Sequence, residues 1–325
     1  MMLLRLVPQE TKINFLGMRK VAAIFSIALI IGSMALFAVN SLNYGIDFEG
    51  GIEVEFGYED QLVDIGAIRD VVTPLDMGDV SIKSVDNGGS ALIRIERQPG
   101  DEEAQTAATE RVRAAFAEAM PDIQYRQGNI IGPVVSGELK RDGIIAVSVA
   151  VIMVLIYIWF RFEWQFGLGA VIALVHDVLL TIGFFALTRL DFNLSIIAAL
   201  LTIVGYSLND TVVVYDRVRE NIRKYRKMAM EDVLNLSLNQ TLSRTVMTSV
   251  TTLLALFALF FLGGDVIQGF TAAMIWGVVV GTYSSIFVAS PLLMFFKIRR
   301  EAMILDEDDK DPTVDKSRPG QFGQF

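Results

Sequence analysis

The chain has no cysteine, which excludes disulfide cross-links, thiolate nucleophiles and thiolate metal sites. It has a single histidine, so histidine-rich metal sites and H-E-x-x-H zinc chemistry are excluded as well. No Gly-Lys dipeptide occurs, which removes the P-loop and with it ATP hydrolysis. Charge is scarce: 20% of the 325 residues are charged, against about a quarter in soluble domains. Positive charge is the scarcer sign, with 28 Lys and Arg against 37 Asp and Glu and a net charge of −9. That balance argues against nucleic acid as a partner. With these motifs missing, ATP hydrolysis and zinc catalysis within this chain are set aside.

What is plentiful is apolar sequence. Hydrophobic residues make up 53% of the chain and gather in long blocks, which is a membrane composition. Six blocks are long enough to cross a hydrocarbon core of about 30 Å as helices. They are Val21–Val39, Ile144–Phe160, Phe166–Leu187, Leu194–Leu208 with an extension to Tyr215, Val246–Leu262 and Phe270–Phe296. The first is long for a signal-peptide core of about 7–15 residues and no clear A-x-A site follows it, so it is read as a retained helix.

Lys and Arg set the expected orientation. Arg5, Lys12, Arg19 and Lys20, then Arg161, then the run from Arg217 to Lys227, then Lys297, Arg299 and Arg300 all fall on one side once six helices are threaded. The short opposite loops hold only Arg189. The expectation is therefore a cytoplasmic N-terminus (1–20), helix one (21–39), an exported domain (40–143), helices two to six (144–296) and a cytoplasmic acidic tail (297–325). The run Arg217–Lys227 reads as a topological anchor facing anionic lipid.

The exported segment predicts an α+β domain. Ile52, Val54 and Phe56 alternate with Glu53 and Glu55 as a strand with one apolar face. Leu62, Ile65, Ile68 and Val72 keep helical spacing until Pro74. Val80, Ile82 and Val85 alternate up to a turn at Asn87-Gly88-Gly89, and Leu92, Ile93 and Ile95 suit the return strand. Val112, Phe116 and Met120 mark the core side of a second helix, and Ile123 and Tyr125 a last strand. The order β-α-β-β-α-β is that of the ferredoxin-like split motif. No catalytic constellation appears in it.

Ionisable residues inside apolar helices are costly and are functional candidates by default. His176 and Asp177 sit near the middle of the third helix. As helical neighbours about 100° apart they need not touch, and both a proton relay and a bundle-facing polar pair fit them. Ser207, Asp210 and Thr211 share one face of the fourth helix. Asp210 lies about 24 Å from the outer end of its helix and Arg244 about 27 Å from the outer end of the fifth. The similar depths predict an ion pair that opens when Asp210 is protonated. Gly277, Gly281 and Ser285 form a small-residue stripe that admits a close neighbour helix.

Four segments carry a family resemblance. Gly45-Ile46-Asp47-Phe48-Glu49-Gly50-Gly51 follows the first helix. Ser207-Leu208-Asn209-Asp210-Thr211 is continued by Asp216-Arg217-Val218-Arg219-Glu220-Asn221. Thr241-Leu242-Ser243-Arg244-Thr245 and Gly281-Thr282-Tyr283-Ser284-Ser285-Ile286 complete the set. In this order and topology they closely resemble the SecF family of protein-export membrane subunits (SecD/SecF, within the RND superfamily). The resemblance implies an RND-like half-bundle that pairs with SecD, associates with the SecYEG channel and lies in the bacterial inner membrane. It implies use of the proton-motive force to promote late translocation and release of unfolded precursor proteins on the periplasmic side. It implies a subunit without enzymatic activity or a bound cofactor, driven by the proton gradient, with a proton pathway through Asp210 and Arg244. His176, Asp177, Ser207, Asn209, Thr211, Asp216, Arg217 and Thr248 are expected to support it, and Gly45, Asp47, Phe48, Gly50 and Gly51 to form a hinge.

Two other readings fit part of the pattern. A half-size RND-type exporter of small molecules or lipids predicts an aromatic-lined pocket in the exported domain and no SecD-like partner. An intramembrane aspartyl hydrolase would need Asp177 and Asp210 in one site, and the sequence lacks the paired motif.

Overall fold

The computed structural model describes residues 11–59 and 61–296. The expectations for residues 1–10 and for the acidic tail 297–325, including the flanking Lys297, Arg299 and Arg300, lie outside the described residues. The chain runs through α1 (Arg19–Asn40), β1 (Asn43–Tyr44), the single turn α2 (Ile46–Glu49), β2 (Gly51–Gly57) and α3 (Ile65–Val72). It continues with β3 (Val80–Val85), β4 (Ser90–Ile95), α4 (Glu102–Ala119), β5 (Gln124–Ile131), α5 (Pro133–Arg161) and α6 (Trp164–Thr188). It ends with β6 (Asp191–Phe192), α7 (Leu194–Lys224), α8 (Met230–Leu262), α9 (Asp265–Ser284), a π-helical segment (Ser285–Ala289) and α10 (Ser290–Phe295).

Six helical stretches are long and apolar enough to cross a membrane: 16–40, 134–161, 164–188, 194–224, 230–262 and 266–295. Five of the predicted apolar blocks fall within one of them and the sixth ends one residue beyond, at Phe296, but three helices extend well past their block. The fifth begins at Met230, sixteen residues before Val246, and α5 begins at Pro133 instead of Ile144. Hydropathy reports only the part of a helix that suits hydrocarbon, whereas the i to i−4 ladder continues into water wherever the sequence keeps helical propensity. The last strand of the inserted domain ends at Ile131, and α5 follows at Pro133.

In the inserted domain β3, β4, β2 and β5 form one sheet in that order, and every neighbouring pair is antiparallel. Helices α3 and α4 cover one face, where Ile52, Val54, Phe56, Ile93 and Ile95 meet Ile68, Val72, Val112 and Phe116. Both helices are N-capped by aspartate. Asp64 accepts from the Gly66 and Ala67 amides, and Asp101 from that of Ala104, satisfying donors that a helix start leaves unpaired. The predicted turn takes left-handed backbone at Asp86, Asn87 and Gly88. Leu62, expected to open α3, is instead exposed ahead of its Asp64 cap.

In the bundle α7 is the central helix, packed by α6, α8 and α9. Two apolar clusters fill it. One contains Phe166, Leu174, Tyr215, Val218, Leu234 and Leu293, the other Phe185, Ile196, Ile203, Met274 and Val278. On α7 and α9 small residues permit close approach: a Cβ on Gly281 would stand 3.0 Å from that of Ser207, and one on Gly277 would overlap Ile203.

Candidate functional site: two buried carboxylates held by neighbouring hydroxyls

Between the two apolar clusters the bundle carries a polar layer. Asp177 on α6 is 1% exposed and Asp210 on α7 is 9% exposed. A buried carboxylate needs several donors to offset lost hydration, and hydroxyls from neighbouring helices supply them. Asp177 Oδ2 accepts from Ser207 Oγ at 2.5 Å and from Ser284 Oγ at 2.8 Å. Its Oδ1 lies 2.8 Å from His176 Nδ1. Asp210 Oδ1 accepts from Thr245 Oγ1 at 2.6 Å, and its Oδ2 from Ser285 Oγ at 2.5 Å. Most of these separations match charge-assisted O–H···O bonds of about 2.5–2.7 Å.

The arrangement couples the two acids through their supports. On α7, Ser207 serves Asp177 from one turn before Asp210. At the end of α9, consecutive residues divide the same way, Ser284 to Asp177 and Ser285 to Asp210. Consecutive helical side chains diverge by about 100°, so this junction reaches both acids only because it sits between them. Ser285 also opens the π segment, whose wide turn is closed by Ser290 Oγ donating to the Ser285 carbonyl at 2.8 Å. Single π turns within α-helices concentrate at functional sites. Beneath it the buried Tyr215 hydroxyl donates to the Ala289 carbonyl at 3.0 Å.

The expected ion pair between Asp210 and Arg244 is not formed. Arg244 is exposed on α8, and Asp210 bonds to Thr245, the next residue. A one-residue step turns the side chain by about 100°, so the Thr245 hydroxyl reaches Asp210 while Arg244 forms no ion pair with it among the described residues. His176 and Asp177, which as helical neighbours had no need to touch, are in direct contact. Thr211 is buried beside Asp210, whereas Asn209 is exposed. Thr248 turns back onto its own helix, donating to the Arg244 and Thr245 carbonyls. Asp216 and Arg217 stand apart from the layer: Asp216 pairs with Arg161 at 2.9 Å and Arg217 with Glu220 at 2.9 Å.

Gly45–Gly51 links helix, domain and bundle. Strand β1 pairs in parallel with β6, and the Gly45 amide donates to the Phe192 carbonyl at 2.8 Å. Asp47 Oδ2 accepts from the Leu194 amide at 2.8 Å, at the first residue of α7. It thereby supplies from a distant segment the capping carboxylate that a helix N-terminus favours. Phe48 is buried against Phe192. Gly51 has φ +131, and a Cβ there would come within 2.7 Å of the Ile95 carbonyl oxygen, so the turn into β2 requires glycine. Asp191 in turn holds the domain: Lys83 of β3 forms an ion pair with it, and Arg94 of β4 stands 3.7 Å away. Nearby on β2, burial raises the pKa of Glu53, with Arg94 and a hydrogen bond to Asn129 opposing the shift.

Ser284 and Thr245 were not singled out by sequence reasoning as ligands of the acids. Both lie in the motifs that carried the resemblance, one residue from an expected participant, and only the helix rotation distinguishes them.

Comparison with known proteins agrees in extent and content. The family described as "Protein export membrane protein SecD/SecF, C-terminal" matches residues 111–299, and the "SecD/SecF GG Motif" matches residues 35–61. The protein translocase subunit SecF of Cereibacter sphaeroides is 45% identical over 91% of this chain and 93% of its own. That of Rhodobacter capsulatus is 44% identical over 94% of this chain and 96% of its own. The crystal structure of SecDF, a translocon-associated membrane protein from Thermus thermophilus, superposes with a TM-score of 0.79 at 35% identity over 90% of this chain. A second SecDF structure, in a super-membrane-facing form, gives 0.66 at 35% identity over 93% of this chain. The chain spans 40% of each of those longer chains. With matches at these levels of identity and coverage, the chain belongs to the SecF family of protein translocase subunits.

Proposed function

We propose that this chain is the proton-coupled SecF subunit of a Sec translocase. In this reading it acts with SecD beside the SecYEG channel to promote late translocation and release of unfolded precursors. The observation that carries the reading is the buried Asp210, which accepts hydrogen bonds from hydroxyls that Thr245 and Ser285 present from two other helical segments. A protonated carboxyl is itself a donor and accepts less well, so proton uptake weakens at least one of these bonds and frees α8 or the π segment to shift. Ser284 and Ser207 pass such a shift to Asp177. Asp47 at the start of α7 passes it to the domain.

Arg244, exposed on α8, is available to a carboxylate of a partner helix, and the resemblance supplies SecD as that partner. A cation at this depth is costly without one. The side bearing Arg19, Arg161 and the run Arg217–Lys227 is read as cytoplasmic by the positive-inside rule. The inserted domain, read as ferredoxin-like, is then periplasmic, and the chain spans the bacterial inner membrane.

The test is precursor export into inverted membrane vesicles containing the channel, the motor, ATP and the SecD partner. Asp210→Asn should remove only the gradient-stimulated part of export and leave the ATP-driven part intact. An undiminished gradient response would remove Asp210 from the pathway and leave it a structural residue.

A further inference from the structure

We propose that the groove between α1, α6 and the π segment with α10 is a binding site for one anionic phospholipid. Its phosphate would lie at Arg19 and Lys20 and an acyl chain would run along the apolar wall. The cavity measures about 550 Å³ and is lined by Ile27, Ile172, Val175 and Leu292 among other apolar residues, with both cations at one end. From Arg19 to Ile30 along α1 is about 16 Å, close to half the roughly 30 Å hydrocarbon thickness, the depth of one leaflet.

The polar end is built for a phosphate. Arg19 Nη1 is held at 2.9 Å from Glu231 Oε2 and stays half-exposed. Lys20 beside it is exposed and forms no ion pair among the described residues. Two cations against one acid leave positive charge at the membrane interface, where anionic headgroups gather. The space fits a lipid chain better than a protein helix, since a helix 10–12 Å across and 16 Å long occupies roughly 1,500 Å³. His176 also lines the groove, and its Nε2 is buried with no hydrogen-bond partner among the described residues. The occupant therefore lies against the residue that contacts Asp177, and against Phe287 and Val288 of the π segment.

The inference needs only the membrane embedding of the helices and not the proton coupling, so its test can fail without touching the proposed function. The test is native mass spectrometry of the detergent-solubilised full-length chain with its SecD partner. The complex is exposed in parallel to phosphatidylglycerol, to phosphatidylcholine and to inorganic phosphate. Phosphatidylglycerol should be retained several-fold more than phosphatidylcholine, and phosphate not at all. Lys20→Gln, at an exposed position, should bring the two lipids close to parity. Val175→Trp, which fills the groove, should abolish the retention, and Ile172→Trp serves if that variant does not assemble. Equal retention of the two lipids by the unmodified complex would overturn the anionic assignment. Retention that survives the tryptophan variants would overturn the site. No retained lipid, together with a cross-link from Val175→Cys to the partner subunit in this otherwise cysteine-free chain, would assign the groove to a partner helix instead.

Discussion

The inserted domain and the membrane bundle both bury apolar clusters, but only the bundle also buries ionisable side chains among the described residues. The domain core is Ile52, Val54, Phe56, Ile68, Ile93, Ile95, Val112 and Phe116, with Phe56 and Phe116 stacked at 4.1 Å. The bundle buries Asp177, Asp210, His176, Ser207, Thr245, Ser284 and Ser285 at its centre and leaves large apolar residues such as Phe25, Trp159, Phe160 and Phe261 outside. In water, removing apolar area drives folding, so the domain puts its hydrophobes in and its charges out. Lipid tails are as apolar as leucine, so that force vanishes between helices, and close packing and interhelical hydrogen bonds take its place. A bundle held this way accommodates ionisable groups in its core, where the domain would be disrupted by them.

The contrast is open to direct attack. The largest expected effect is in the domain. Phe116→Ala should cost about 3–5 kcal/mol, read as rapid pulse proteolysis of residues 51–131 while the helices stay protected. Equal loss of protection in the helices would show that the two cores are not separable. In the bundle, Ser207→Ala removes a hydroxyl from a buried carboxylate and should cost about 1.5–3 kcal/mol, seen as a lower melting temperature in detergent. An unchanged melting temperature would break the argument that polar bonds hold this layer. At the junction, Gly51→Ala puts a side chain in left-handed backbone against the Ile95 carbonyl and should cost about 1–3 kcal/mol. It should also uncouple the domain, lowering gradient-stimulated export more than the proteolytic stability of the helices.

The smallest expected effect concerns Glu53. Burial raises its pKa in the folded domain, so the folded state takes up a proton more readily than the unfolded chain. Its contribution favours folding at acid pH and is lost as the pH rises through the folded value. Glu53→Gln should therefore stabilise the domain slightly at neutral pH, with the advantage fading on acidification. An advantage that grows on acidification would mean that the Arg94 interaction outweighs the burial.

Legibility followed the same division. Alternation in Ile52–Phe56 and helical spacing in Val112–Met120 located the domain core because burial in water follows residue type. The apolar blocks located the long helices by hydropathy, yet fell sixteen residues short of the start of α8, where the helix runs through more polar sequence. In the polar layer, residue type named Asp177, Asp210 and Ser207 but not their partners. Asp210 was expected to meet Arg244 and meets Thr245 instead, because two helices at equal depth still have a free rotation about their axes.

The sequence by itself determined that this chain has six stretches long and apolar enough to cross a membrane, carries an α+β insertion and places two carboxylates within apolar helices, since hydropathy and periodicity act locally. Only the tertiary structure decided that Ser284 and Ser285 divide between those carboxylates and that Asp47 caps α7 across 147 residues. Those contacts depend on helix rotation and close packing at Gly277 and Gly281, which the whole bundle fixes and no single segment encodes.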